Sequence, residues 1–149
     1  MLAIQKMSFF AKFLESNGSM FRVDTRVYLQ DGVSPKDDDK CVAAVIGKNP
    51  GSAAPICFDE LAPLSLERDN MLPTVRNWFV SAYRRALKKI PDGAFVRVWN
   101  LFYLCDPDLR SAIRRHKEIH FLKTCSTEQD LPPLVWFAWG GCHPVLDSM

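Results

Sequence analysis

The order of hydrophobic and polar residues along the chain predicts strands that alternate with helices. Over residues 21–30 the pattern has a period of two, which is typical of a strand with one buried face. The inward positions would be Phe21, Val23, Thr25, Val27 and Leu29, and the outward positions Arg22, Asp24, Arg26, Tyr28 and Gln30. Residues 41–46 are apolar throughout, which predicts a central strand covered on both faces. Residues 95–105 and 134–139 are rich in β-branched and aromatic side chains and predict two more strands.

Other segments have the spacing or the end signals of helices. Residues 72–90 place apolar side chains three and four positions apart, with basic residues on the far side and towards the C-terminal end. A shorter helix is predicted from Pro107 to about residue 116, with Asp106 as its N-cap. Residues 8–15, Ser-Phe-Phe-Ala-Lys-Phe-Leu-Glu, also predict a short helix, which the Asn-Gly pair at 17–18 ends.

This order of elements predicts one α/β domain over residues 1–149, in which a small, mostly parallel sheet is flanked by helices in three layers. Ligands of such sheets bind outside the carboxyl ends of the strands. The predicted strands end at the loop Gly47–Gly51, at Asn100 and at Gly140. We therefore expect these places to lie along one edge of the sheet and to line one cleft.

The loop after the buried strand is the strongest candidate for ligand contact. Its glycines let a ligand approach the backbone closely, and Asn49 can orient a water molecule or bond the edge of a base. The alternative is a tight turn that Asn-Pro begins, and for Asn100 the alternative is a structural asparagine bonded to nearby backbone. The predicted ligand contacts are Gly47, Lys48, Pro50, Gly51, Ser52, Asn100 and Gly140.

One histidine is a candidate catalytic group. His143 closely follows the last predicted strand, where an imidazole can act as an acid or an electrophile, although fraying near the C-terminus is the alternative. His116 and His120 are four residues apart, but Glu118 is not placed as in the H-E-x-x-H zinc motif. The five cysteines include no C-x-x-C pair, so we predict neither a metal site nor a cofactor.

Basic residues fall into two clusters, although the formal net charge is only +2. One cluster contains Arg84 and Arg85, and the other contains Arg114 and Arg115. Each is either a solvated helix face or a set of phosphate contacts. The odd number of cysteines suits reduced thiols, and no apolar run is long enough to span a bilayer. We therefore predict a cytoplasmic protein without a membrane partner.

Three strand ends together resemble an uncharacterised family of bacterial and phage proteins, a domain of unknown function, over roughly residues 20–141. They are Asn49-Pro50-Gly51-Ser52-Ala53, Asn100-Leu101-Phe102 and Ala138-Trp139-Gly140. The family has an Asn-Pro-Ser-Thr-Ala loop, so Gly51 and Ser52 depart from its pattern. Its members usually continue past Ala-Trp-Gly into a helix and a His-Pro segment, which implies that the C-terminal part is shortened in this chain.

The loop is also similar to the G-x-N-P-G motif of the mismatch-specific branch of the uracil-DNA glycosylase superfamily. That superfamily has a parallel-sheet α/β fold with this loop after its first core strand. The resemblance implies that Asn49 positions the water that attacks the sugar. The second motif of the superfamily matches His143-Pro144 only loosely, because this pair follows the last strand too closely.

Two functions follow from these observations. The first is a nucleotide- or nucleic-acid-binding protein with a glycosylase-like ligand cleft, a hydrolase of the N-glycosidic bond in DNA or a nucleotide. Its catalytic residues would be Asn49 and His143, and its phosphate contacts Arg84, Arg85, Arg114 and Arg115. The alternative is a non-catalytic phage or mobile-element accessory protein that binds a host protein or a nucleotide.

Overall fold

The computed structural model describes residues 7–50, 55–66, 69–119 and 124–138, and these residues form a six-stranded sheet with two α-helices. The strands are β1 (Phe9–Ser16), β2 (Ser19–Tyr28), β3 (Cys41–Gly47), β4 (Leu61–Pro63), β5 (Phe95–Asn100) and β6 (Val135–Phe137). The helices are α1 (Met71–Arg85) and α2 (Leu109–Glu118), and Cys125–Thr127 form a short 3-10 turn. The strand order across the sheet is β4-β1-β2-β5-β3-β6.

The sheet is mixed, which confirms the α/β class and shows that the prediction of a mostly parallel sheet was wrong. Strand β3 runs parallel to β5 and β6, whereas β1 is antiparallel to β2 and β4, and β2 is antiparallel to β5. The parallel part is formed by the strands that helices connect. The antiparallel part comes from the beginning of the chain, where a tight hairpin joins β1 to β2.

The helix predicted over residues 8–15 is a strand instead. Asn17 and Gly18 have φ angles of 50° and 70°, which suits a two-residue hairpin turn that joins β1 to β2. The register of β1 against β2 shifts between Phe10 and Lys12, so the apolar residues of β1 do not alternate strictly. Because of this irregularity, the spacing of the apolar residues in β1 resembles that of a helix.

The two helices cover opposite faces of the sheet. Leu72 and Val75 of α1 pack against a cluster that includes Val45, Val96 and Val98. Residues Ala44, Ile46 and Trp99 alternate with these valines and therefore point to the other face. Leu101 packs against this second cluster and also against the one that contains Ala112 and Ile113 of α2. The sheet is thus the middle of three layers.

Burial in β2 does not follow the predicted alternation. Arg22 and Tyr28 were expected to face solvent, but both side chains are fully buried. Asp24 has a φ of 46°, and this irregularity changes which face the following residues point to. Tyr28 packs against Phe10 and Phe95, because layers cover both faces of this inner strand. The prediction of one exposed face was therefore wrong.

Several element ends also differ from the prediction. Helix α1 stops at Arg85 rather than at residue 90, and Leu87 just after it has a φ of 52°. Strand β5 ends at Asn100, before the predicted end at 105. The N-cap of α2 is Asp108, whose side chain accepts a hydrogen bond from the Arg110 N–H, rather than Asp106. Among the described residues, no helix is both long enough and apolar enough to cross a bilayer.

Candidate functional site at the carboxyl ends of β3 and β5

The carboxyl ends of β3 and β5 lie side by side, as the sequence predicted for Gly47 and Asn100. These two residues are register partners, and the pairing continues past the strands because the Leu101 N–H donates to the Gly47 carbonyl at 3.0 Å. The chain after β3 leads to α1 and the chain after β5 leads to α2, on opposite faces of the sheet. Connections that diverge in this way leave a crevice at the carboxyl ends of parallel strands.

Asn100 is the most unusual side chain in this region. It is fully buried, and neither its Nδ2 nor its Oδ1 has a hydrogen-bond partner among the described residues. A Cβ on Gly47 would lie 3.0 Å from Oδ1, so the glycine leaves room for the amide. A buried polar group without a partner destabilises a protein by about 1–3 kcal/mol. The amide is therefore the best candidate ligand contact of the site.

Asn49 holds the loop in place. Its Nδ2 donates to the Asp106 carbonyl oxygen at 2.9 Å and to the Pro50 carbonyl oxygen at 3.2 Å. Both partners are acceptors, so the amide nitrogen must face them and Oδ1 must point the other way. No described residue donates to that oxygen, which leaves it as an acceptor for a bound molecule. Pro50 is buried, and the Lys48 carbonyl accepts from the Phe102 N–H at 3.3 Å.

Arg115 supports this arrangement from α2. Its Nη1 lies 3.0 Å from Asp106 Oδ2, and its Nη2 donates to Ser19 Oγ at 3.1 Å. Burial raises the pKa of the Asp106 carboxyl, but hydrogen bonds from the Asp108 N–H, Ser111 and Arg115 outweigh it and hold the pKa below its usual value. Arg115 therefore has protein partners that position the segment bonded to Asn49. The other predicted phosphate contact of this cluster, Arg114, is an exposed residue of α2.

The predicted phosphate contacts of α1 lie far from Asn100. The Met71 Cε at the start of α1 is 3.8 Å from the position of a Cβ on Gly47, whereas Arg84 and Arg85 are exposed in the last turn. A helix of 15 residues is roughly 20 Å long. A ligand that is small enough to sit on Asn100 does not reach these arginines. Their predicted role stays a prediction, and it requires a ligand as long as a nucleic-acid strand.

The sequence pattern missed an arginine that the structure places at the same end of the sheet. The Arg22 Nη1 is 3.5 Å from Asp69 Oδ2, and both side chains are buried. The other oxygen of Asp69 accepts from the N–H groups of Met71 and Leu72, which caps α1. Arg22 alternates with apolar residues in the same way as Asp24 and Arg26, so the period-two pattern assigns it to the solvent face and contains no signal of its burial.

The other sequence candidates fall into two groups. Gly51, Ser52, Gly140 and His143 lie outside the described residues, so their predicted roles stay predictions. His116 stacks on Phe102 with 5.1 Å between ring centroids, and burial lowers the pKa of its imidazole. Within the described ranges, no three His, Cys, Asp or Glu side chains converge on a point where a metal ion could bind.

Because the pKa of His116 is lower in the folded protein than its ordinary value of 6.5, protonation favours the unfolded chain. We expect the stability due to the neutral imidazole to be complete above pH 6.5 and to be lost progressively as the pH falls from there through the folded pKa. Urea denaturation of the protein and of His116→Gln between pH 5 and 7.5 tests this. A variant whose pH dependence equals that of the wild type would contradict it.

The chain was compared with protein-family models, with curated proteins and with solved structures, and nothing matches in any of the three comparisons. The two family resemblances of the loop Gly47–Gly51 therefore stay predictions.

Proposed function

We propose that this protein binds a nucleotide, free or within nucleic acid, at the carboxyl ends of β3 and β5, and that it hydrolyses the N-glycosidic bond of this ligand. The observation that carries the proposal is the buried amide of Asn100, whose donor and acceptor both lack partners among the described residues. The edge of a nucleobase presents neighbouring acceptors and donors, and a carboxamide pairs with such an edge through two hydrogen bonds. Asn100 is thus the base contact of the proposed cleft.

Asn49 is the proposed water-positioning residue. Its amide nitrogen is fixed by two carbonyl oxygens, so the direction of Oδ1 is fixed as well. A water molecule held by Oδ1 adds to the anomeric carbon of the sugar and loses a proton to the solvent, while the base leaves with the electron pair of the glycosidic bond and takes up a proton. His143 keeps its predicted role as the proton donor.

The same geometry supports the finer fold and location that we propose. Strand β3 is the first of the parallel strands in the chain, β5 and β6 flank it, and α1 and α2 cover opposite faces. We infer that these elements form a uracil-DNA-glycosylase-like core. The cysteines among the described residues are free thiols, which favours a reducing compartment and hence the cytoplasm.

Abasic-site formation tests the reaction. Purified protein is incubated with single- and double-stranded oligodeoxynucleotides that contain uracil or a mismatch, and abasic sites are revealed by alkaline strand cleavage. We expect product with the wild type and a rate about 100-fold lower with Asn49→Ala, because misplacing a reacting group costs about that much. Asn77→Ala, at an exposed position of α1, is the matched control and should retain the wild-type rate.

The amide of Asn49 also favours a second candidate, a non-catalytic nucleotide-binding protein. Its bond to the Asp106 carbonyl oxygen joins the two chain segments of the cleft, and such a bond is useful in a protein that only binds. Oligonucleotide binding without abasic sites in wild-type protein would support this candidate over the hydrolase. Equal rates for the wild type and Asn49→Ala would contradict the proposed role of Asn49.

A further inference from the structure

Arg22 has an incompletely satisfied charge in the interior. Its side chain is fully buried, and burial lowers the pKa of the guanidinium, although Asp69 and Cys105 partly offset this effect. Its hydrogen bond to Asp69 is 3.5 Å long, and Asp69 also bonds the backbone of α1. A buried cation is costly unless its donors are satisfied. One long contact to a shared carboxylate leaves most of the donors of Arg22 without compensation.

The unsatisfied donors of Arg22 lie on one edge of its guanidinium. They are Nε and Nη2, neither of which has a partner among the described residues. The parallel N–H groups of this edge match two oxygens of a carboxylate or a phosphate. Arg26 on the same strand shows the occupied arrangement, since its Nε and Nη2 donate to the two oxygens of Asp24 at 3.0 and 2.9 Å. Arg22 has the same edge without an acceptor among the described residues.

A further unsatisfied donor lies on the α1 side of the sheet. The helix itself contributes none, because the Met71 and Leu72 N–H groups donate to Asp69 Oδ1 and the Thr74 N–H donates to the Asn70 carbonyl. Thr25 is paired with Val98 in the sheet, so it points towards the α1 face, and its buried hydroxyl has no partner among the described residues. The hydroxyl can donate a further hydrogen bond to an oxygen held there.

We propose that Arg22 and Thr25 form a binding site for an oxyanion, namely a phosphate or carboxylate group. The unsatisfied edge of Arg22 binds two of its oxygens, and Asp69 holds the guanidinium in place from the other side. The site goes beyond the proposed function and does not depend on it, because oxyanion binding at Arg22 requires no nucleobase.

The test measures binding of three probes by isothermal titration calorimetry at constant ionic strength, with chloride as the balancing anion. Inorganic phosphate and acetate report on the free ions, and uridine 5′-monophosphate reports on a phosphate that a nucleoside carries. The variant Arg22→Lys keeps the charge and removes the two-donor edge. The control Arg26→Lys changes an arginine of the same strand whose edge Asp24 already occupies.

We expect saturable binding of at least one probe to the wild type and to Arg26→Lys, and at least tenfold weaker binding to Arg22→Lys. Absence of saturable binding of all three probes to the wild type, or equal affinities of the wild type and Arg22→Lys, would overturn the proposal. If Arg22→Lys does not fold, the assigned Arg22 Nε–H resonance of the wild type decides, and it must shift saturably with the bound probe. Binding of uridine 5′-monophosphate that Arg22→Lys leaves unchanged, without binding of phosphate or acetate, would leave the nucleobase site intact and refute only the Arg22 site.

Discussion

Replacing Asn100 with leucine is expected to raise the free energy of unfolding of the ligand-free protein by about 1–3 kcal/mol. The amide is fully buried, and both of its polar atoms lack hydrogen-bond partners among the described residues. Leucine has the same number of side-chain heavy atoms, the same branch at Cγ and no polar atom, and residues 96 and 98 on the same face of β5 are valines in the apolar cluster under α1. Urea denaturation of the two proteins measures the change.

The control for this prediction is Asn77→Leu, at an exposed position of α1. We expect it to change the free energy of unfolding by no more than about 0.5 kcal/mol. A protein that gains stability when a buried residue is made apolar has kept that residue for another reason, and here the reason is ligand binding. If Asn100→Leu lowered the stability by more than about 1 kcal/mol, the amide would have internal partners and the argument for the ligand contact would fail.

Replacing Gly93 with alanine is expected to lower the free energy of unfolding by about 2–3 kcal/mol. Gly93 has a φ of 67°, which strains any residue with a Cβ, and the added Cβ would overlap Asp39 Oδ1. The other oxygen of Asp39 accepts from Tyr28 Oη and from the Lys36 N–H, each at 2.7 Å, so the carboxylate cannot move without losing these bonds.

Gly32→Ala separates the two causes of this loss. Gly32 has the same φ of 67°, but a Cβ added there would meet no atom of the described residues within 4 Å beyond its chain neighbours, so alanine introduces backbone strain alone. We expect this control to lose about 1 kcal/mol, and the difference between the variants reports the displaced Asp39. Thermal or urea denaturation of both variants measures it, and equal losses would contradict the role of Asp39.

The sequence predicted those parts of the fold whose pattern of apolar residues is compatible with only one type of element. The apolar run at residues 41–46 lies within the central strand β3, because a strand covered on both faces has no polar side. Helix α1 followed from the 3.6-residue period of its apolar positions. The proximity of Gly47 and Asn100 followed from the parallel order of their strands, since the carboxyl ends of parallel strands meet at one edge.

The parts that the sequence did not predict depend on irregular backbone. Because of the register shift in β1, the spacing of its apolar residues resembles that of a helix, although the Asn-Gly pair at 17–18 is compatible with a hairpin turn as well as with a helix end. The positive φ of Asp24 changed which residues of β2 are buried. Neither feature has a reliable signature in hydrophobic periodicity, because both interrupt a regular repeat.

The same cause limited the prediction of the site. Arginines were assigned to phosphate contacts because they cluster in the sequence, yet Arg115 is bonded to Asp106 and Ser19, and Arg84 lies at the far end of α1. Arg22, whose Nε and Nη2 lack partners among the described residues, belongs to neither of the two basic clusters. Only the burial of its side chain and its unpartnered donors indicate that Arg22 can bind an anion.

The most direct test of the account observes the side-chain amide of Asn100 in a ¹⁵N–¹H correlation spectrum. The pair of NH₂ cross-peaks that disappears in Asn100→Leu identifies it, and uridine, cytidine, adenosine and guanosine are then titrated separately into the wild type. We predict that at least one nucleoside shifts these cross-peaks saturably and that Asn100→Leu binds it at least 100-fold more weakly. Cross-peaks that stay unmoved by all four nucleosides would contradict the claim that Asn100 is the base contact.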